Sequence, residues 1–339
     1  MKILFDIGHP AHVHLFKNLI YFFQKNGDKI IVVSRDKDIT TTLLDHYKIK
    51  HIIISKQSIQ PIGMIKELII RNIKIIKIYQ KEKFDIAIGT SFSIGILSLL
   101  FNVRSYLFSE DDDKVIPLMV YLSYPFATKI INPNCLKFKY FKNKRILHNS
   151  YQKLAYLHPN NFKPQINVLK KYNLKPYKYI IIRLSALKAH HDLHAKGIDQ
   201  KLIKKINKTC SNYQIISSQE NGTSKIKPWD MHHVLNYAKM IISDSQSMTV
   251  EAAVLGVPSI RYGNFKGKIS VLNEIEKYKL SSSFLPNQKN KMFKKIEEII
   301  NQKNIQKIYQ TRKKNLLKNK TDFTKWMINY FSSLNIKGK

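Results

Sequence analysis

The segment from Ser243 to Ala253 combines small hydroxyl side chains with the predicted start of a helix. It follows a buried strand predicted at Met240–Ser243 and leads into a helix predicted at Met248–Leu255. Free backbone N–H groups and the helix dipole at such an N-terminus suit a phosphate group. Glu251 lies about one turn into the helix, where its carboxylate can bind vicinal ribose hydroxyls. Helix capping without any ligand is the alternative interpretation. The candidate residues for nucleotide-sugar binding are Ser245, Gln246, Ser247, Met248, Thr249 and Glu251.

Histidines are concentrated in the loop after the first predicted strand, Lys2–Ile7. The carboxyl end of a strand is the usual place for catalytic residues in an open α/β sheet. Histidine is the side chain best suited to accept a proton near neutral pH. His9 and His12 are therefore candidate catalytic residues. His14 completes the group, but the three histidines lack a carboxylate scaffold and lie too close together for one helical face, so we predict no metal site.

Four adjacent acids, Glu110 to Asp113, follow the predicted fifth strand. They repel one another unless a cation, a neighbouring basic residue or a raised pKa compensates. An exposed acidic turn is the simplest interpretation. The alternative makes Glu110 and Asp111 catalytic carboxylates, and a divalent metal site ranks third.

Basic residues follow two strands predicted in the second half of the chain. Arginine suits a diphosphate because its guanidinium group can make bidentate hydrogen bonds. Further candidates for binding the nucleotide sugar are therefore Arg183, Ser185, Lys188, His190 and Arg261.

Strand and helix patterns alternate along the chain, which predicts parallel sheets with ligand sites at the carboxyl ends of the strands. A length of 339 residues suits two domains. Proline, asparagine and lysine concentrate between residues 151 and 176, which we interpret as the approach to a linker. We expect domains at 1–165 and 166–320, with a helix in 321–339 that returns to the first domain.

The formal net charge is +35, from 58 Lys and Arg against 23 Asp and Glu. Such a charge attracts nucleic acid, anionic lipid or phosphorylated substrates, although Lys-rich codon usage explains part of it equally well. No nucleic-acid-binding motif is present, so a nucleic-acid partner is not expected. The two cysteines do not form a disulfide framework, and no signal peptide or spanning segment is predicted. These features predict a cytoplasmic protein.

A long basic helix is predicted at Pro61–Lys83. We favour a helix that packs its isoleucines on the sheet and presents its lysines to solvent. The alternative is an amphipathic helix that lies on an anionic membrane surface at the inner face of the cell membrane.

The pattern Gly8, His12, Val13, Leu19, Gly27, Asp28 resembles the opening of glycosyltransferases of the GT-B type. The segment Ser243–Pro258 resembles the nucleotide-binding segment of those enzymes and of the non-hydrolysing UDP-N-acetylglucosamine 2-epimerases. Two glycines of the epimerase pattern are replaced here by Gln246 and Ser247, and its first glutamate is replaced by Val250. Nearly the whole chain is similar to a bacterial and archaeal family known as a domain of unknown function. The closer resemblance is carried by the segments 9–14, 109–113 and 189–192.

The resemblance implies an α/β protein of the GT-B fold, with two Rossmann-like domains facing across a cleft. It implies a glycosyltransferase with a nucleotide-sugar donor, with UDP as the expected nucleotide, and a glycan or lipid-linked acceptor in surface polysaccharide or glycolipid synthesis. The nucleotide sugar is a substrate, and no cofactor or metal is expected. An epimerase or hydrolase acting on a UDP-sugar is the alternative. The sugar, the acceptor and the stereochemistry stay open.

Overall fold

The computed structural model describes residues 1–184, 197–219, 225–264 and 266–336. The chain divides into two compact units, unit 1 with Met1–Tyr156 and Asp322–Lys339, and unit 2 with Leu157–Thr321. A short helix, α6 (Leu154–Leu157), contains the boundary. Within the described ranges, none of the helices combines the length and apolar character needed to cross a bilayer.

Unit 1 alternates strands and helices along the chain. Its strands are β1 (Lys2–Ile7), β2 (Lys29–Asp36), β3 (Ile52–Lys56), β4 (Ile86–Gly89), β5 (Arg104–Phe108), β6 (Lys129–Pro133) and β7 (Arg145–His148). Its helices are α1 (Pro10–Lys25), α2 (Thr40–His46), α3 (Pro61–Glu82), α4 (Phe92–Leu100), α5 (Pro117–Leu122) and α13 (Phe323–Ile336).

The strands of unit 1 form one parallel sheet in the order β3-β2-β1-β4-β5-β6-β7. The order reverses at β1, so β1 and β4 lie side by side at the switch point, where open α/β sheets bind their ligands. Right-handed crossovers place α3, α4 and α5 on one face of this sheet. Their inward side chains Ile75, Ile94, Leu97 and Val120 pack on the strands there.

Aromatic side chains form the core on the opposite face of the same sheet. Phe16 of α1 packs edge-on against Phe108 of β5, with ring centroids 5.2 Å apart. Phe323 and Phe331 of α13 also contact Phe108. The C-terminal helix is therefore an integral layer of unit 1, held by aromatic packing that contributes about 0.5–1.5 kcal/mol per ring pair beyond area burial.

Unit 2 contains a second parallel sheet in the order β12-β11-β10-β8-β9. Its strands are β8 (Tyr179–Leu184), β9 (Gln214–Gln219), β10 (Met240–Ser243), β11 (Ser259–Tyr262) and β12 (Ser281–Phe284). Its helices are α7 (Gln200–Thr209), α8 (Met231–Asn236), α9 (Gln246–Leu255), α10 (Ser270–Lys277), α11 (Lys289–Asn301) and α12 (Ile305–Lys318). The two parallel α/β sheets confirm the predicted fold class.

Helix α9 is buried almost all round, from Met248 to Leu255. It packs against β10 and β11 and against helices α8, α10 and α12. A helix with small and apolar residues on every side suits this position. Its N-terminus therefore has a fixed position at the carboxyl end of β10.

Helix α3 corrects the orientation favoured from its sequence. Its buried positions are Glu67, Arg71 and Ile75, whereas five of its isoleucines, Ile62, Ile65, Ile69, Ile70 and Ile73, face solvent. The physical reason is a pair of inward ion pairs. Arg35 donates two hydrogen bonds to the Glu67 carboxylate, at 2.5 and 2.6 Å, and Arg71 pairs with Asp6. Buried charges must be paired, and that requirement sets the rotation of this helix.

Gly256 ends α9 in the left-handed region, at φ +74°. An added Cβ atom would lie 2.7 Å from Nε2 of Gln310. We expect Gly256→Ala to lower the free energy of unfolding by about 1–2 kcal/mol in denaturant titrations. The control is Gly8→Ala, where an added Cβ meets no atom within 4 Å. Equal effects of the two substitutions would contradict the capping role.

Candidate functional site

A row of polar side chains crosses the carboxyl end of the sheet in unit 2. Ser243, the last residue of β10, is in register with Arg183 of β8 on one side and Arg261 of β11 on the other. Residues in register on neighbouring parallel strands point to the same face, so the two arginines flank Ser243 about 10 Å apart. The row continues to Ser218 of β9, whose hydroxyl accepts a hydrogen bond of 2.7 Å from Nη1 of Arg183.

Helix α9 begins directly beside this row. Ser245 is its N-cap residue, and the Ser245 N–H donates to the Ser243 hydroxyl at 2.9 Å. Gln246 and Ser247 occupy the first turn and are half-buried, and Met248 is buried. The Thr249 hydroxyl donates to the Ser245 carbonyl at 2.7 Å, so it braces the turn. Arginines and a helix N-terminus together concentrate positive charge at this edge.

Glu251 is buried one turn further along α9. Its Oε1 lies 3.4 Å from Nε2 of His232, which is buried on α8. Phe162 packs edge-on against His232, with ring centroids 6.2 Å apart. His232 was not predicted from the sequence, because nothing in the spacing of α8 indicates that its histidine meets α9. Ser185, Lys188 and His190, also expected to contact the nucleotide sugar, lie outside the described residues.

In unit 1, His12 lies in the first turn of α1, above the switch point between β1 and β4. The Thr90 hydroxyl lies 2.9 Å from Nδ1 and 3.1 Å from Nε2 of His12. Burial lowers the pKa of His12 to about 3; the Asp6 carboxylate opposes this shift, and the positive charges of Lys153, Lys37 and Arg71 add to it. The imidazole is therefore neutral at physiological pH.

Asp6 anchors this part of unit 1. Its carboxylate accepts hydrogen bonds from Arg71 and from the Ser91 hydroxyl, and its side chain is fully buried. Arg71 also donates to the Ser55 hydroxyl at 3.0 Å. Asp6 and Arg71 were not among the residues predicted from the sequence. A lone acid inside the apolar run of β1 was the available signal, because a buried charge requires a partner.

The other two predicted histidines have different surroundings. His9 is the N-cap residue of α1, and its Nδ1 accepts a hydrogen bond of 3.1 Å from the Ala11 N–H. Its ring centroid lies 5.6 Å from that of His12. His14 is buried between Tyr47 and Tyr156, with centroids 5.8 and 5.2 Å away. His9 and His12 are thus brought together, whereas His14 belongs to the core.

The acidic segment is mostly buried, which corrects the interpretation of an exposed turn. Asp113 pairs with Arg145 at 2.6 Å and also accepts hydrogen bonds from the Lys139 and Tyr140 N–H groups. The Asp112 carboxylate accepts a hydrogen bond of 2.6 Å from the Lys137 N–H. These two carboxylates hold the loop after β6 in place. Basic residues and backbone donors supply the compensation that four adjacent acids require.

Glu110 forms a buried ion pair with Lys153. Its Oε2 lies 2.7 Å from Nζ of Lys153, and its Oε1 accepts a hydrogen bond of 2.7 Å from the Gln152 N–H. Lys153 also acts electrostatically on His12. Asp111 is half-buried beside this pair. Lys153 therefore neutralises Glu110 and also contributes to the low pKa of His12.

Across the part of the chain that the structure describes, no group of three or more His, Cys, Asp or Glu side chains could hold a metal ion.

Solved structures of known proteins share this fold. MnaA of S. aureus, solved with UDP, superposes with a TM-score of 0.70 at 14% identity, covering 98% of this chain and 97% of that one. The UDP-GlcNAc 2-epimerase of Methanocaldococcus jannaschii, solved with UDP-GlcNAc and UDP, superposes with a TM-score of 0.64 at 14% identity. The match covers 89% of this chain and 94% of that one. The spinosyn forosaminyltransferase SpnP superposes with a TM-score of 0.64 at 10% identity, covering 98% of this chain and 99% of that one.

These similarities establish the GT-B fold, which epimerases and glycosyltransferases share. No curated protein matches the sequence significantly. One family profile matches residues 1–334, that of the "Protein of unknown function (DUF354)". The chain therefore belongs to the DUF354 family, as the resemblance of its histidine and acidic segments implied.

Proposed function

We propose that this protein is a glycosyltransferase that uses a nucleotide-sugar donor, with UDP as the nucleotide and a glycan or lipid-linked acceptor. The observation that carries the proposal is the row of Arg183, Ser243 and Arg261 beside the N-terminus of α9. Two arginines on one face, with backbone N–H groups next to them, suit the diphosphate of a nucleotide sugar. The structures of MnaA with UDP and of the M. jannaschii epimerase with UDP-GlcNAc support the choice of UDP.

The donor in this proposal lies on unit 2. The diphosphate accepts hydrogen bonds from Arg183, Arg261 and the first turn of α9, with Ser245, Gln246 and Ser247 in that turn. Ser185, Lys188 and His190 follow β8 and are proposed to complete this set. Glu251 accepts hydrogen bonds from the ribose hydroxyls, and His232 orients its carboxylate at 3.4 Å. The same positive charges stabilise the departing diphosphate without a metal ion.

His12 is the proposed general base that removes the proton from the acceptor hydroxyl, with His9 beside it. Because its imidazole is neutral, a ring nitrogen can accept a proton. A base with a pKa near 3 is weak.

The alternative function is epimerisation or hydrolysis of a UDP-sugar. One observation favours it: Glu110 pairs with Lys153, whose charge also acts on His12, and the chemistry needs a carboxylate and a histidine close to the sugar ring. The ion pair of Glu110 with Lys153 argues against it, because that carboxylate is already engaged. Asp111 is the other carboxylate that such a reaction could use.

The proposed setting is surface polysaccharide or glycolipid synthesis at the cytoplasmic face of the cell membrane.

Removing Arg261 should weaken nucleotide binding. We expect Arg261→Ala to raise the Kd for UDP about 10- to 100-fold in isothermal titration calorimetry, since hydrogen bonds to charged groups contribute about 1.5–3 kcal/mol. The Kd of Arg261→Lys should lie between those of the unaltered protein and Arg261→Ala, because lysine keeps the charge and loses the bidentate geometry. The matched control is Arg312→Ala, which removes the same charge from α12 of the same unit. Equal losses in both alanine variants would refute a specific diphosphate site.

The protonation of His12 is testable by NMR. Its folded-state pKa is lowered to about 3 from about 6.5, so the unfolded chain binds the proton more tightly. This contribution to stability is present above pH 6.5 and is lost as the pH falls toward 3. We expect the Cε1–H resonance of His12 to be constant between pH 8 and 5, and the fall in unfolding free energy over that range to be smaller in His12→Gln. A midpoint near 6.5 in the free protein would contradict the neutral-base assignment.

The reaction itself is tested with UDP-GlcNAc and UDP-glucose, each incubated without acceptor and followed by proton NMR. A transferase should leave the sugar configuration unchanged and release UDP only slowly. That release should fall about 100-fold or more in His12→Gln and much less in Glu110→Gln. Formation of a C2 epimer, lost equally in both variants, would replace the transferase proposal with the epimerase alternative.

A further inference from the structure

The outer surface of one helical layer of unit 1 is apolar where a solvated surface is expected. Helices α3, α4 and α5 cover the same face of the sheet, and α3 packs against α4. We name the solvent-facing apolar side chains of this layer the isoleucine face. Its members are Ile62, Ile65, Ile69, Ile70, Ile73, Leu99, Leu100, Leu118, Tyr121 and Leu122, each between 46% and 71% exposed.

The stripe on α3 follows helical periodicity. Ile62, Ile65, Ile69 and Ile73 are spaced three or four residues apart, so they lie along one side of the helix, opposite the buried Glu67 and Arg71. Single exposed apolar residues are ordinary, but a contiguous set marks an interaction surface. The inward ion pairs of α3 prevent it from rotating to bury this stripe.

The charges around the isoleucine face have one sign. Four exposed lysines, Lys66, Lys74, Lys77 and Lys81, lie on the flank of the stripe on α3. The helical segments 61–82, 92–100 and 117–122 contain only two acids, Glu67 and Glu82. Glu67 is buried against Arg35, and Glu82 pairs with Lys29 at 2.6 Å at the far end of the helix. The outer surface of the layer therefore offers apolar contact together with positive charge.

We propose that the isoleucine face docks unit 1 on the surface of an anionic lipid bilayer. The isoleucines and leucines enter the boundary between headgroups and acyl chains, and the flanking lysines extend to the anionic headgroups. A second copy of the chain fits less well. A two-fold contact through this face would bring the two rows of lysines together without acids to compensate. A nucleic acid also fits less well, because the exposed isoleucines would find no apolar surface to contact on its charged backbone.

The test is flotation of the full chain with vesicles of phosphatidylcholine and phosphatidylglycerol at physiological salt, with phosphatidylcholine vesicles as reference. Nucleotide is omitted, so the result is independent of the proposed reaction. We expect binding to the anionic vesicles only. Ile69→Asn should weaken it about tenfold. Ile166→Asn is the matched control, because Ile166 lies in unit 2 and is 51% exposed, against 52% for Ile69.

The electrostatic component is tested by charge reversal. Lys66→Glu with Lys77→Glu should weaken binding at least tenfold, whereas Lys201→Glu with Lys204→Glu, two exposed lysines of α7 in unit 2, should change it less than threefold. Equal effects of the two pairs would show that only net charge matters and would overturn the proposal. Unchanged flotation of Ile69→Asn, with a dimer becoming a monomer in light scattering, would assign the face to a second copy.

Discussion

The rotation of α3 depends on two buried charges that face the sheet. Arg71 pairs with Asp6 at the carboxyl end of β1, and Glu67 pairs with Arg35 of β2. Losing either contact would leave a buried charge without its partner, which typically costs about 3–5 kcal/mol. This constraint has two consequences in unit 1. It fixes the position of Asp6, whose charge acts on His12, and it turns a row of isoleucines toward solvent.

The same arrangement shows how a catalytic environment forms from structural ion pairs. Neutral His12 depends on burial and on the nearby cations, while Thr90 fixes the position of the ring. The Glu110–Lys153 pair places one of those cations close by. In unit 2 the corresponding constraint is strand register, which aligns two arginines on either side of Ser243. Each unit thus presents its polar groups at the carboxyl ends of its parallel strands, as open α/β sheets do.

Regular elements with a clear period were predicted well from sequence. β1 and β10 begin and end where their patterns indicated, α3 ends one residue earlier than predicted, and α9 begins two residues earlier. β6 and β7 were missed because their short apolar runs lie among prolines and basic residues, and β12 was missed because three of its four residues are serine. The histidine and acidic segments were identified as unusual, but their environments were not. The exposed turn expected at Glu110–Asp113 is buried because Arg145 and Lys153, distant in sequence, supply the opposite charges.

The sequence by itself determined the class of fold, the location of the polar residues at the ends of strands and the family to which the chain belongs. These follow from local hydrophobic period and from short motifs, which need no knowledge of distant contacts. Only the tertiary structure decided which acid meets which base, which face of α3 is buried and which histidines approach each other. Those outcomes depend on pairing charges across residues far apart in the chain, and such pairing leaves no periodic signal in the sequence.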